Sequence, residues 1–194
     1  MNLRFILNAL FFRHKLPNFY FMNIILLGYM GCGKSSIGRD LASELKMECI
    51  DLDDFIENQE KKSIGQIFED NGEIYFRKKE NEYLKQVLKT KNNHIISLGG
   101  GTPCFAGNLE IIKGDENAKS VYLKTSLEEL VDRLYLEKEK RPLIAHISSR
   151  DDLKDFVRKH LFERSFYYNQ AEYVISTDNK TIQEVVKEMQ NVLF

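Results

Sequence analysis

The chain has 194 residues, 43% of them hydrophobic and 29% charged, which is the profile of an ordinary globular protein of one domain. Lys plus Arg total 28 and Asp plus Glu total 29, a net charge of -1, so no basic excess points to a nucleic-acid or membrane partner. The three cysteines, Cys32, Cys49 and Cys104, are odd in number and widely spaced. That excludes a disulfide framework or a zinc site and points to reduced thiols in a cytoplasmic protein.

Residues 1–21 are apolar and aromatic, but Arg13, His14 and Lys15 interrupt them, and no small-residue cleavage site follows. The expectation is therefore neither a signal peptide nor a membrane span. Met22 opens the run Met22-Asn23-Ile24-Ile25-Leu26-Leu27. The expectation is a start-site extension or unpacked arm over 1–21 and a single domain over 22–194.

Ile24–Leu27 is a continuous apolar run ending in glycine and reads as a buried strand. Ser35 to Lys46 carries Ile37, Leu41 and Leu45 on one helical face. Cys49–Asp51 predicts a second strand, and helices follow over Asp54–Gln59, Ile64–Asp70, with Ser63 as N-cap, and Glu73–Lys89. Ile95–Leu98, Ser120–Leu123 and Tyr173–Ile175 complete five strands. Helices are expected over Leu127–Leu136, Asp151–Gln170 and Thr181–Leu193. Strands alternating with helices predict an α/β fold with a parallel sheet, whose ligands bind at the carboxyl ends of the strands.

Four motifs fall at those ends. Gly28-Tyr29-Met30-Gly31-Cys32-Gly33-Lys34-Ser35 fits G-x-x-x-x-G-K-[ST] between a strand and a helix. Its backbone N–H groups and the helix N-terminus suit phosphate oxygens, Lys34 suits the β- and γ-phosphates, and the Ser35 hydroxyl suits Mg2+. Asp51 and Asp53 stand two apart; in extended chain both face one side, one to hold Mg2+ through water and one to take a proton from an attacking hydroxyl. Helix capping is the competing reading, and it is favoured for Asp54. Gly99-Gly100-Gly101 follows a strand expected beside the phosphate loop, and lets a substrate ring approach bare backbone. Taken by itself a tight turn before a helix is the stronger reading, and only the strand's expected place beside the phosphate loop favours a functional one.

The arginines are the fourth group. Arg77 and Glu80 are three apart on a helix, so Glu80 can orient Arg77 for bidentate binding of a carboxylate, or the two can be a solvated surface pair. Arg141 precedes Pro142 in a charged stretch that reads as a mobile lid near 137–149. Arg133 and Arg164 are helix arginines that spacing alone does not assign.

Taken together, these segments resemble the shikimate kinases from about Asn23 to the C-terminus. The carriers are the phosphate loop followed by Ser36-Ile37-Gly38-Arg39, Asp51-Leu52-Asp53, and Gly72-Glu73-Ile74-Tyr75-Phe76-Arg77-Lys78-Lys79-Glu80. Gly99-Gly100-Gly101, Arg141-Pro142-Leu143-Ile144 and Arg164 with Tyr168 complete the set. Ile144 stands where the family usually has Leu, and the family's proline near Phe166 or Tyr167 is missing.

The resemblance implies a three-layer P-loop kinase fold with a five-stranded parallel sheet and a mobile lid. It implies transfer of the ATP γ-phosphoryl group to the 3-hydroxyl of shikimate, in aromatic amino-acid biosynthesis. Lys34, Asp53 and Arg141 would be catalytic. Gly31, Cys32, Gly33, Lys34, Ser35, Ser36, Arg133 and Arg141 would bind ATP, with Arg133 by the adenine. Asp53, Arg77, Gly99, Gly100, Gly101 and Arg164 would bind shikimate, the two arginines gripping its carboxylate. Ser35 and, through water, Asp51 would hold Mg2+. The expected partners are small molecules only, met by a cytoplasmic monomer. Another small-molecule kinase, for gluconate or a nucleotide, and a non-catalytic ATP-binding module are the competing readings.

Overall fold

The computed structural model describes residues 22–90 and 93–194; the extension expected over 1–21 lies outside them. Five strands form one all-parallel sheet: β1 (Asn23–Leu27), β2 (Glu48–Asp51), β3 (His94–Ser97), β4 (Ala118–Lys124) and β5 (Tyr173–Ser176). Their spatial order is β2-β3-β1-β4-β5. β1 is the central strand and all five of its residues are buried. Covered on both faces, it reads as an unbroken apolar run rather than an alternating one. As expected, β3 lies beside it, with Ile24 opposite Ile95 and Leu26 opposite Ser97.

The helices are α1 (Lys34–Leu45), α2 (Leu52–Glu60), α3 (Ile64–Leu88), α4 (Asn108–Lys113), α5 (Leu127–Glu137), α6 (Pro142–Ala145), α7 (Arg150–Tyr168) and α8 (Ile182–Leu193). Ser63 caps α3 in a reciprocal box: its hydroxyl accepts from Gln66 N at 3.2 Å and its own N–H donates to Gln66 Oε1 at 2.9 Å. The two helices expected over 64–89 form one element kinked at Gly72, where φ is 80° and ψ 171°. That backbone lies outside the helical region and is open to glycine alone without strain. On α8, Val185, Val186 and Met189 are buried against the sheet layer, the face its periodicity predicts.

Two stretches differ from expectation. Helix α2 begins at Leu52, two residues early, because Asp51 is its N-cap: Asp51 Oδ1 accepts from Asp53 N at 3.1 Å. Asp53 is therefore helical, and the extended-chain argument for pairing it with Asp51 does not hold. Nor does capping fall to Asp54, which is exposed. The segment 137–149 also contains regular structure, a short 3-10 turn at Lys138–Lys140 and then α6. Pro142 sits at the first position of α6, where its missing N–H is harmless. Ile144 is fully buried while its neighbour Leu143 is 64% exposed. One apolar side chain thus fastens α6 to the body of the protein, by about 1.5–3 kcal/mol.

Candidate active site

The carboxyl ends of β1, β2 and β3 open on a cleft of about 550 Å³. Its walls include Gly31 to Ser36, Asp51, Asp53, Gly99, Gly100, Arg133 and Arg141. Positive φ at Gly31 (83°) and Gly33 (97°) turns the loop after β1 so that α1 starts pointing at the cleft. Lys34 Nζ lies across this loop and donates to Gly28 O at 2.8 Å and Tyr29 O at 3.0 Å. These partners are neutral carbonyls, which an ammonium group exchanges readily for phosphate oxygens.

Ser35 Oγ donates to Asp51 Oδ2 at 2.9 Å, so the two expected metal contacts meet at the foot of α1. Among the described residues no three His, Cys, Asp or Glu side chains gather as a metal cage. One hydroxyl and one carboxylate, both hard oxygen donors, fit Mg2+, which keeps several waters and is otherwise held by substrate phosphates.

The glycine triplet is the meeting point of the remaining residues. A methyl group added at Gly99 would lie 2.9 Å from Asp53 Oδ1; at Gly100, 3.5 Å from Arg164 Nη1; at Gly101, 3.0 Å from Arg77 Nη2. A side chain at Gly99 would collide with the Asp53 carboxylate and one at Gly101 would crowd the Arg77 guanidinium, whereas at Gly100 a methyl group would only reach ordinary contact with Arg164. Asp53, from α2, Arg77, from α3, and Arg164, from α7, therefore converge on one backbone loop. Arg77 and Arg164 are not among the walls of the open cleft; they flank the triplet that forms one of those walls.

Asp53 is pushed up to about 6, first by burial, then by the negative charges of Asp51 and Glu80; Lys34 and Arg77 pull it back. A carboxylate shifted this far is a stronger base than an ordinary aspartate and is still mostly ionised at neutral pH.

Arg77 is braced rather than solvated. Glu80, 1% exposed, accepts from Arg77 Nη1 at 3.0 Å and, on its other oxygen, from Thr102 Oγ1 at 2.7 Å. Asn108, fully buried, donates to Thr102 O at 2.9 Å and accepts from Asn81 Nδ2 at 2.8 Å. The Arg77 guanidinium also lies 4.1 Å from the centre of the Phe105 ring. Tyr168 donates a short hydrogen bond to Gly100 O, and burial drives its phenol far above the usual range, so it stays a donor.

The two remaining arginines line the cleft wall on the α5 side. Arg133 holds Glu129 through Nε and Nη2 (3.1 and 2.8 Å) and reaches Gly31 O through Nη1 at 3.4 Å. Arg141 pairs with Glu137 at 2.9 Å, and its Nε is buried without a partner. An orphaned guanidinium N–H at the edge of a phosphate cleft is a donor waiting for an anionic acceptor.

The cleft has a further wall that sequence reasoning did not anticipate: Thr177, Lys180 and Thr181, from the turn between β5 and α8, and Ile182 and Val185, from the start of α8. No local motif marks it. Thr102 and Asn108 were also missed, although Thr102 directly follows the triplet.

The family model for shikimate kinase matches residues 30–194. A shikimate kinase of Flavobacterium johnsoniae is 48% identical over 170 residues, covering 88% of this chain and 98% of the relative. The crystal structure of shikimate kinase from Bacteroides thetaiotaomicron superposes with a TM-score of 0.81 at 35% identity, covering 89% of this chain and 98% of that one. The enzyme from Acinetobacter baumannii, solved in complex with shikimate, gives a TM-score of 0.78 at 32% identity, covering 89% and 93%. No helix among the described residues is long and apolar enough to cross a membrane. With the matched region spanning most of the phosphate loop, the glycine triplet and the segment 137–149 alike, the chain belongs to the shikimate kinase family.

Proposed function

We propose that this protein transfers the γ-phosphoryl group of ATP to the 3-hydroxyl of shikimate, a step of aromatic amino-acid biosynthesis. One observation carries the reading: Asp53, Arg77 and Arg164 converge on Gly99–Gly101, and Asp53 and Gly99 line the same cleft as the phosphate loop. A hydroxyl acid laid on that loop would meet two guanidinium groups and one carboxylate at once.

In this reading Arg77 and Arg164 grip the substrate carboxylate as paired forks, which a lysine could not imitate. The acid is thereby oriented so that one ring hydroxyl faces Asp53. As the bond from that oxygen to the γ-phosphorus forms and the γ-phosphorus to bridging-oxygen bond breaks, Asp53 accepts the hydroxyl proton and ADP departs. Phosphoryl transfer of this kind depends on position and charge neutralisation more than on covalent help. Lys34 turns from its carbonyl partners to the phosphates, and Arg141 supplies its unpartnered Nε–H from the lid. Arg133 lies by the adenine. Ser35, with Asp51 through water, would hold Mg2+, which supplies further charge neutralisation at the phosphates when bound. The segment 137–149 acts as the lid, and only two of its apolar side chains, Ile144 and Ile147, are buried, which suits a segment that must open. The expected assembly is a monomer, and the cysteine pattern favours the cytoplasm.

The test is ADP release by purified protein with ATP, Mg2+ and a panel of acceptors. The expected result is rapid turnover of shikimate and little with gluconate or nucleoside monophosphates. Strong turnover of either rival acceptor with none of shikimate overturns the assignment.

A further inference from the structure

Tyr29 occupies the second position of the phosphate loop, whose pattern accepts any residue there. Its side chain is nonetheless 1% exposed, so it is packed inward. Two contacts define its surroundings. Arg164 lies over its ring, with the guanidinium carbon 5.6 Å from the ring centre. Its hydroxyl shares a 3.1 Å hydrogen bond with His160 Nδ1. His160 and Arg164 are four apart on α7 and thus neighbours on one helix face. The His160 ring in turn packs on Phe156, with ring centres 4.2 Å apart.

The backbone of Tyr29 does something different. Its carbonyl accepts from Lys34 Nζ at 3.0 Å. The next residue's amide nitrogen, Met30 N, lies 3.5 Å from where a methyl group at Gly100 would sit, the same distance as Arg164 Nη1. Phosphate loop, glycine triplet and Arg164 therefore meet at one point, and the Tyr29 side chain joins the first of these to the third.

We propose that Tyr29 is a positioning residue for recognition of the acid substrate: its ring seats the Arg164 guanidinium beside Gly100, and His160 locks that ring. The proposal rests on the reading that Arg164 binds the substrate carboxylate. The chemistry supports a seat rather than a spacer. A flat π-face attracts a guanidinium within about 6 Å of its centre, more strongly where water is excluded, as at Tyr29. A guanidinium on a flexible stem loses rotational freedom when it grips a carboxylate; one already seated loses less. Burial holds His160 below its usual value, and the nearby Arg164 adds to this. Burial also pushes the Tyr29 phenol up to about 12, against the pull of Arg164. Both groups are therefore uncharged at neutral pH, and the seat keeps one protonation state there.

The test compares Tyr29→Met, which refills most of the volume without a π-face, with Tyr29→Phe, which keeps the face and drops the hydroxyl. Steady-state kinetics are measured with shikimate and ATP varied separately, alongside melting curves with and without ADP. Tyr29→Met should raise the KM for shikimate roughly tenfold, leaving kcat and the KM for ATP within about threefold. Tyr29→Phe should restore the KM for shikimate to within about threefold of the native value. Combined with Arg164→Met, Tyr29→Met should cost nothing further in kcat/KM for shikimate, since the group it seats is gone. If Tyr29→Met does not fold, Tyr29→Leu takes its place in the same comparison. Equal losses for both substrates, a Phe variant no better than Met, or losses that multiply in the double variant overturn the proposal. Absence of shikimate turnover in the native protein would instead overturn the proposed function.

Discussion

At the phosphate end of the cleft, one unbroken stretch from Gly28 to Ser35 supplies the backbone amides, the lysine and the hydroxyl. At the end proposed to read the acid, Asp53, Arg77, the glycine triplet and Arg164 arrive from four separate segments. The first end is built largely of main chain, to which the Lys34 and Ser35 side chains are added, and is held by a strand–loop–helix junction that forms locally. The second is built of side chains and needs braces: Glu80 between Arg77 and Thr102, Asn108 behind Thr102, Tyr168 on Gly100. A backbone site tolerates side-chain change around it, whereas a side-chain site is only as well placed as its supporting partners. Asp53 belongs to both, lining the phosphate cleft while it touches the triplet.

Three variants probe that contrast. The largest effect is expected from Lys34→Met, which removes the cation proposed to serve the transferring phosphoryl group. It should lower kcat by about 10²–10³, with shikimate binding, measured by calorimetry, unchanged within about threefold. A parallel collapse of shikimate binding would mean that the two ends are not separable. Next comes Glu80→Gln. It leaves the shape but weakens the charge-assisted bond to Arg77, at a residue with 1% exposure. The KM for shikimate should rise roughly 10- to 50-fold, because mispairing a buried charged partner costs about 1–3 kcal/mol. The KM for ATP should hardly move. An equal rise for ATP would erase the distinction between the two ends.

The smallest effect concerns stability, and Asp53 is its source. Its folded-state value of about 6 lies above the ordinary 3.8, so the folded protein binds its proton more tightly than the unfolded chain. The fold is favoured in this respect below about 4, loses that advantage as pH rises through about 6, and carries the full penalty above it. Asp53→Asn removes the titration. Measured by urea unfolding in EDTA without nucleotide, the variant should be more stable than native protein by roughly 1–2 kcal/mol at pH 8. The difference should shrink towards pH 4. An unchanged difference across that range would show that Asp53 is not held in a destabilised ionised state.

Much of the phosphate end was legible from residue order. Gly28 to Ser35 lies between an apolar run and an amphipathic one, and hydrogen bonds within a few residues do the rest. Ser63 was equally readable as a cap, since Gln66 stands three residues on. Asp51 and Asp53 both line the cleft, but the geometry assigned to them was wrong. Whether Asp51 ends a strand or caps a helix depends on which conformation wins at one peptide unit, and both use the same residue. Arg77 with Glu80 was ambiguous for a different reason. Spacing shows that the two are neighbours on a helix, but it does not reveal whether that helix face meets solvent or Thr102. The wall formed by Thr177, Lys180 and Thr181 had no sequence signal, because ordinary polar turn residues become cleft residues only when β5 takes its place at the sheet edge next to β4.

By itself the sequence determined the alternation of strands and helices, the phosphate-binding junction, and the family to which the order of motifs belongs. All three rest on patterns repeated within a few residues or read in chain order. The tertiary structure alone decided that Asp53, Arg77 and Arg164 share one glycine loop, that Glu80 is buried as a brace, and that Tyr29 lies beneath Arg164. Those contacts join segments far apart in the chain. The sheet order β2-β3-β1-β4-β5 brings them together, because parallel crossovers place the ends of successive helices over the same edge of the sheet.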